Sequence, residues 1–174
     1  IVAMQEVHSS EAVYQIFPKS DWQVVMSQRP DNEAFDCRNS NQTSTQQKVA
    51  FAVKKGLNIE NIESKPAFGL NSRGLRHGLE IVVGTEFGSM SLLNVHMKSG
   101  CFVDDYSSSG KRSCQTYAQQ APILDDYIEQ KDALNQPFVV LGDFNHRLAE
   151  ASNVFAKELA VNDDGTPLTV FNAT

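Results

Sequence analysis

The stretch Pro137-Phe138-Val139-Val140-Leu141-Gly142-Asp143-Phe144-Asn145 decides how this chain is read. Its opening, Pro137 to Gly142, is an apolar run of strand length, which predicts a buried strand. A polar pair follows at the strand's end. Residues two apart in a strand share a face, so Asp143 and Asn145 are expected side by side. Gly142, just before them, lets another backbone or a ligand approach closely.

Two further apolar runs finish in the same way: IVAMQE ends on Glu6, and SLLNVH ends on His96. In layered α/β folds the ends of strands deliver side chains into a crevice. Carboxylate and amide oxygens are hard ligands that suit Mg²⁺, Mn²⁺ or Ca²⁺ rather than zinc. A cation held by Glu6, Asp143 and Asn145 would neutralise a phosphate and stabilise the charge of an in-line displacement. The His96 imidazole beside it can hydrogen-bond a phosphoryl oxygen or move a proton near neutral pH. Taken singly, each residue has a plainer reading. Glu6 can cap a helix, Asp143 and Asn145 can form a turn, and His96 can be a satisfied core histidine.

Outward from these segments, strands are expected at Trp22–Met26 and Lys48–Val53, and a hairpin joins Gly78–Val83 to Met90–Val95 through GTEFGS. Ser10 is expected to cap a short helix over Glu11–Ile16 that Pro18 ends. Residues 115–131 carry Tyr117, Ala121, Leu124 and Ile128 at helical spacing, with Pro122 expected to start or kink the helix. Ser152 is expected to cap a last helix bearing Val154, Phe155 and Leu159. Residues 38–47 lack periodicity and read as an exposed loop. No repeat or linker divides the chain, and the mixture of elements indicates an α/β domain with mixed sheets.

The 174 residues suit one domain, and a composition of 41% hydrophobic and 21% charged residues is that of a globular protein. No apolar stretch reaches the roughly eighteen residues of a membrane helix. A net charge of −6 argues against broad coating of nucleic acid, though not against an enzyme that holds a few phosphates around a cation. Cys101 and Cys114 bracket a Gly- and Ser-containing loop suited to closure by a disulfide; three unrelated thiols, Cys37 included, is the alternative. A disulfide would imply a secreted or periplasmic setting. Asn41-Gln42-Thr43 and Asn172-Ala173-Thr174 match the short glycosylation sequon. The chain opens in mid-strand and closes after the apolar run LTVFNAT, so a fragment is expected, with any signal peptide outside it.

MQEV, NVHMKS and GDFNHR, in that order, resemble the signature segments of the endonuclease/exonuclease/phosphatase (DNase I-like) superfamily. The family includes DNase I-like nucleases, exonuclease III-like enzymes, sphingomyelinases and inositol polyphosphate phosphatases. The resemblance covers essentially the whole chain and is most specific in GDFN. It implies an α/β four-layer sandwich of two mixed β-sheets flanked by helices, here incomplete, as a single domain over 1–174. It also implies that Glu6 binds the metal, that Asp143 and Asn145 hold phosphate and metal-bound water, and that His96 contacts the scissile phosphate.

Arg76, in LRHGLEIVV, falls where such enzymes often carry an arginine before a buried strand; a surface arginine is the alternative, and adjacent His77 is given no role. Gln47 corresponds loosely to a second glutamate of the DNase-like branch. Two family segments have no counterpart: the asparagine strand before MQE, and the closing Asp-His pair. Beyond GDFNHR no histidine follows, and Asp163 and Asp164 lie in a turn-like NDDG. The implied activity is a Mg²⁺-dependent phosphodiesterase (Mn²⁺ or Ca²⁺ in its place), most simply a nuclease of exported bacterial type acting on nucleic acid. A phospholipid or inositol-phosphate substrate is the alternative within enzymes, which the acidic, Ser-rich loop 103–113 does not favour. A non-catalytic binding domain is the alternative outside them.

Overall fold

A computed structural model describes residues 1–31, 33–37, 39–45 and 47–168. The second sequon and the LTVFNAT run beyond Leu168 lie outside the described residues, as do Arg38 and Gln46 of the polar loop. Contacts group the chain into two compact units, Ile1–His96 with Pro137–Asp143, and Met97–Gln136 with the chain from Phe144 onward.

In the first unit, strands β1 (Val2–Val7), β2 (Trp22–Met26) and β5 (Lys48–Lys54) form an antiparallel sheet of order β1-β5-β2. A short ladder joins β3 (Phe35–Asp36) to β4 (Thr43–Ser44), so the stretch expected as a loop contributes one two-residue strand. Strands β6 (Asn58–Lys65), β7 (Gly78–Thr85), β8 (Gly88–His96) and β9 (Phe138–Asp143) form a mixed sheet in that order, antiparallel until β9 joins β8 in parallel. The two larger sheets face each other. Val49, Phe51 and Val53 alternate along β5 and meet Leu79, Ile81 and Val83, which alternate along β7. The opposite face of β5, Ala50 and Ala52, packs with Val13 of helix α1 (Ser10–Tyr14).

Strand β6 is missing from the sequence reading, and its local chemistry says why. Ile59 and Ile62 are three apart, which breaks the period-two signature of a strand. A bulge between Ile59 and Asn61 absorbs the extra residue, so Ile59 opposes Val83 and Ile62 opposes Ile81 on one face. Strand β9 also departs from expectation. Its apolar run reads as fully buried, yet the strand forms one border of its sheet among the described residues, with Val139 42% exposed.

The second unit contains helix α2 (Arg112–Ala133) and helix α3 (Val154–Glu158). Helix α2 begins ten residues ahead of Pro122 and continues through it, so that proline neither starts nor ends the helix. The expected caps are displaced by one position in both short helices. Ser9, not Ser10, accepts from the Ala12 amide at 3.2 Å, and Asn153, not Ser152, accepts from the Ala156 amide at 2.9 Å. Ser152 instead donates to Asp104 at 2.6 Å. Cys101 and Cys114 are bonded and fully buried, and Cys37 is free. No helix among the described residues is long and apolar enough to cross a membrane.

Candidate active site

His96 closes β8 and lies in register with Asp143, which closes β9. Parallel pairing thus sets an imidazole beside a carboxylate at one end of the sheet, with His96 Nε2 3.6 Å from Asp143 Oδ2. The close approach of these strands rests on Gly142, which has φ +133° and would direct a Cβ to within 2.0 Å of the Val95 carbonyl oxygen. Any side chain there would collide with β8.

Glu6 arrives from the other sheet. A register shift between Met4 and Val7 coincides with a left-handed conformation at Glu6, φ 56°. An L-residue with a side chain adopts that conformation at a cost of about 1 kcal/mol, and such strain concentrates at functional positions. Asn94, wholly buried on β8, ties the sheets together beside it. Its Nδ2 donates to the carbonyls of Met4 (3.1 Å) and Ala50 (2.9 Å), while Oδ1 accepts from Gln5 Nε2 at 2.7 Å. Satisfied on both ends, this amide fixes β1 against β8 and β5 and so fixes where Glu6 stands. The sequence reading assigned no role to Asn94 or Gln5; a polar residue interrupting an apolar strand was the available signal.

Arg76 Nη2 lies 3.9 Å from Glu6 Oε1 and donates to Gln47 Oε1 at 3.2 Å, while Nη1 donates to the Gly74 carbonyl at 3.1 Å. Gln47 and Arg76 also line a cavity of about 520 Å³ with Phe35, Glu33 and Arg73. Burial holds the His96 imidazole below its usual pKa, and Arg76 pushes the same way; Asp143 and Glu6 offset only part of this. A neutral imidazole at pH 7 follows, with Nδ1 buried and lacking a hydrogen-bond partner. The first unit thereby brings together Glu6, Arg76, His96 and Asp143.

Asn145 belongs to the second unit. It too is left-handed, φ 50°, and its Nδ2 donates to the Met97 carbonyl at 3.1 Å. Tyr117 of α2 holds the preceding residue by donating to the Phe144 carbonyl at 3.1 Å. His146 stacks with Tyr106, Tyr117 and Phe155, and its Nδ1 faces the Asn153 amide at 2.6 Å, so it is a packing residue of that unit.

The donor set accords with a hard cation. The carboxylates of Glu6 and Asp143 are 60% and 48% exposed at the side chain, and Mg²⁺ needs only one or two carboxylates because it retains waters. No group of three His, Cys, Asp or Glu side chains suited to a tighter cage occurs among the described residues.

No protein-family model and no curated protein matches the chain by sequence. Solved structures match it by shape. The human Nocturnin catalytic domain with bound sulfate aligns at TM-score 0.59 and 14% identity, over 86% of this chain and 52% of its own. Danio rerio TDP2 complexed with a single-strand DNA product aligns at 0.56 and 14%, over 90% and 50%. A β-hairpin deletion mutant of Staphylococcus aureus beta toxin aligns at 0.56 and 16%, over 93% and 60%. The chain therefore spans about half the length of the first two. The chain shares the mixed α/β, DNase I-like fold of these structures.

Proposed function

We propose that this chain forms part of a divalent-cation-dependent phosphodiester hydrolase whose substrate is nucleic acid. The observation that carries the reading is the convergence of an acid, a cation and a neutral imidazole at adjoining strand ends of one unit, with Glu6 held there in a strained backbone conformation. A structural carboxylate needs no such strain. The likeness to a TDP2 complexed with single-strand DNA supports the choice of substrate.

The Arg76 fork, aligned by Gln47, would bind two phosphoryl oxygens and stabilise the charge that grows on them in the transition state. Neutral His96 would donate a hydrogen bond from Nε2 to a phosphoryl oxygen, since its Nδ1 is buried. Asp143, facing Nε2, favours the tautomer with its proton on that nitrogen. Glu6 and Asp143 would hold Mg²⁺, or Mn²⁺ or Ca²⁺, which supplies charge neutralisation at the phosphate. The buried Cys101–Cys114 bond supports an oxidising, secreted or periplasmic setting.

Nicking of supercoiled plasmid in Mg²⁺, compared with EDTA and with Glu6→Ala, tests the reading. Nicking lost in both controls is the expected result. Nicking that survives EDTA would remove the cation from the mechanism. No nicking, together with hydrolysis of a phospholipid or inositol phosphate, would move the chain to those substrates.

A further inference from the structure

Phe35 is 52% exposed on β3, a strand of which both residues are exposed. A ladder of two residues per strand encloses no core that an aromatic ring could fill. Exposed apolar side chains are ordinary when scattered singly. Phe35 is set apart by its place, because it lines the cavity of about 520 Å³ that Arg76 also lines. That volume lies within the roughly 300–1,000 Å³ of small-molecule sites.

The chain between these residues explains why they meet. Phe35 pairs with Ser44 across the β3–β4 ladder, and the Cys37 amide donates to the Gln42 carbonyl at 2.8 Å beyond it. Thr45 follows β4 onto the cavity wall, and Gln47, two residues on, accepts from Arg76 Nη2 at 3.2 Å. One short length of chain therefore carries an aromatic face and aligns a guanidinium fork.

The remaining lining is mixed. Glu33 and Thr45 offer a carboxylate and a hydroxyl, while Ala34 and Gly74 add little bulk. A ligand matched to this hollow has an anionic end for Arg76, a flat apolar face for Phe35 and an N–H donor for Glu33. A nucleotide has all three, in its phosphate, its base plane and the amino or imino groups of the base edge. An acyl chain has no donor for Glu33, and an inositol ring has no flat face for Phe35.

We propose that this cavity is a nucleobase subsite, in which the base adjoining the phosphate at Arg76 stacks on Phe35. The proposal rests on the nucleic-acid reading above, and it makes Phe35 a substrate-binding residue with no part in bond cleavage.

Two measurements on the whole chain separate the subsite from the reading beneath it. Calorimetric titration in Mg²⁺ with adenosine monophosphate and with ribose phosphate compares ligands that share the phosphate and differ in the base. The nucleotide should bind about tenfold more tightly, an advantage lost in Phe35→Ala with circular dichroism unchanged and kept in Phe35→Tyr. Equal affinity for the two ligands, binding of neither, or an advantage that survives in Phe35→Ala would each overturn the subsite. In kinetics, Phe35→Ala should raise KM for a single-stranded oligonucleotide about tenfold with little change in kcat. An unaltered KM alongside weakened nucleotide binding overturns the role in the substrate strand. A wild-type protein that binds the nucleotide through Phe35 yet cleaves no oligonucleotide overturns the nucleic-acid reading and leaves the subsite standing as a nucleotide site.

Discussion

His96 is the residue on which the proposed chemistry turns, because burial and Arg76 keep it neutral where a solvent-exposed imidazole would be partly charged. Replacing it with alanine removes the proton-transfer and hydrogen-bonding group, and turnover should fall at least about a hundredfold. A near-normal rate would remove His96 from the mechanism. Its charge state offers a separate test. Arg76 lowers the His96 pKa through space, so Arg76→Gln should raise that pKa, read by NMR titration of the ring. An unchanged value would mean that burial alone sets it. At this scale the sequence offers candidates and says little of their setting. Glu6, His96, Asp143 and Asn145 stand out as candidates from their places at the ends of apolar runs. The bonds of Asn94 to Met4 and Ala50 do not, since they join residues that are remote in sequence.

At the level of elements, the pairing of β8 with β9 holds His96 and Asp143 in register, and Gly142 permits it. Gly142→Ala should destabilise the protein by more than about 2 kcal/mol, because a Cβ would meet the Val95 carbonyl and the backbone conformation there disfavours any side chain. Urea denaturation checks this; a loss below about 0.5 kcal/mol would show that the strands can part without harm. Strand and hairpin positions were legible from composition, including the hairpin of β7 and β8. Strand β6 was not, because its bulge hides the alternation. Helix caps were misplaced by one residue where two candidate caps adjoin, and side-chain geometry alone chooses between Ser9 and Ser10 or Ser152 and Asn153.

Across the whole molecule, buried titratable groups pull stability in opposite directions with pH. His77, His96 and His146 all have lowered pKa values, chiefly from burial, so the unfolded chain binds their protons first. Their contribution is complete above the ordinary histidine pKa of about 6.5 and is lost as pH falls below it. Asp125 acts the other way. Burial, with Glu129, Glu158, Asp163 and Asp126 around it, raises its pKa to about 6, and its Oδ1 has no hydrogen-bond partner. Its ionised form therefore destabilises the fold above that pH, and the penalty vanishes on acidification. Asp125→Asn should stabilise the protein by about 1 kcal/mol at pH 7 once solvent screening is allowed for, with the gain shrinking between about pH 6 and 4. A gain that does not change with pH would point to packing instead. By itself, the sequence determined the α/β class, most strands and the main helix, and it singled out candidate site residues, because hydrophobic period and strand-end polarity are local properties. Only the tertiary structure decided the order of strands, the border position of β9, and the meeting of Phe35 and Arg76 at one cavity. Those depend on which distant segments pack together, and local pattern carries no record of that choice.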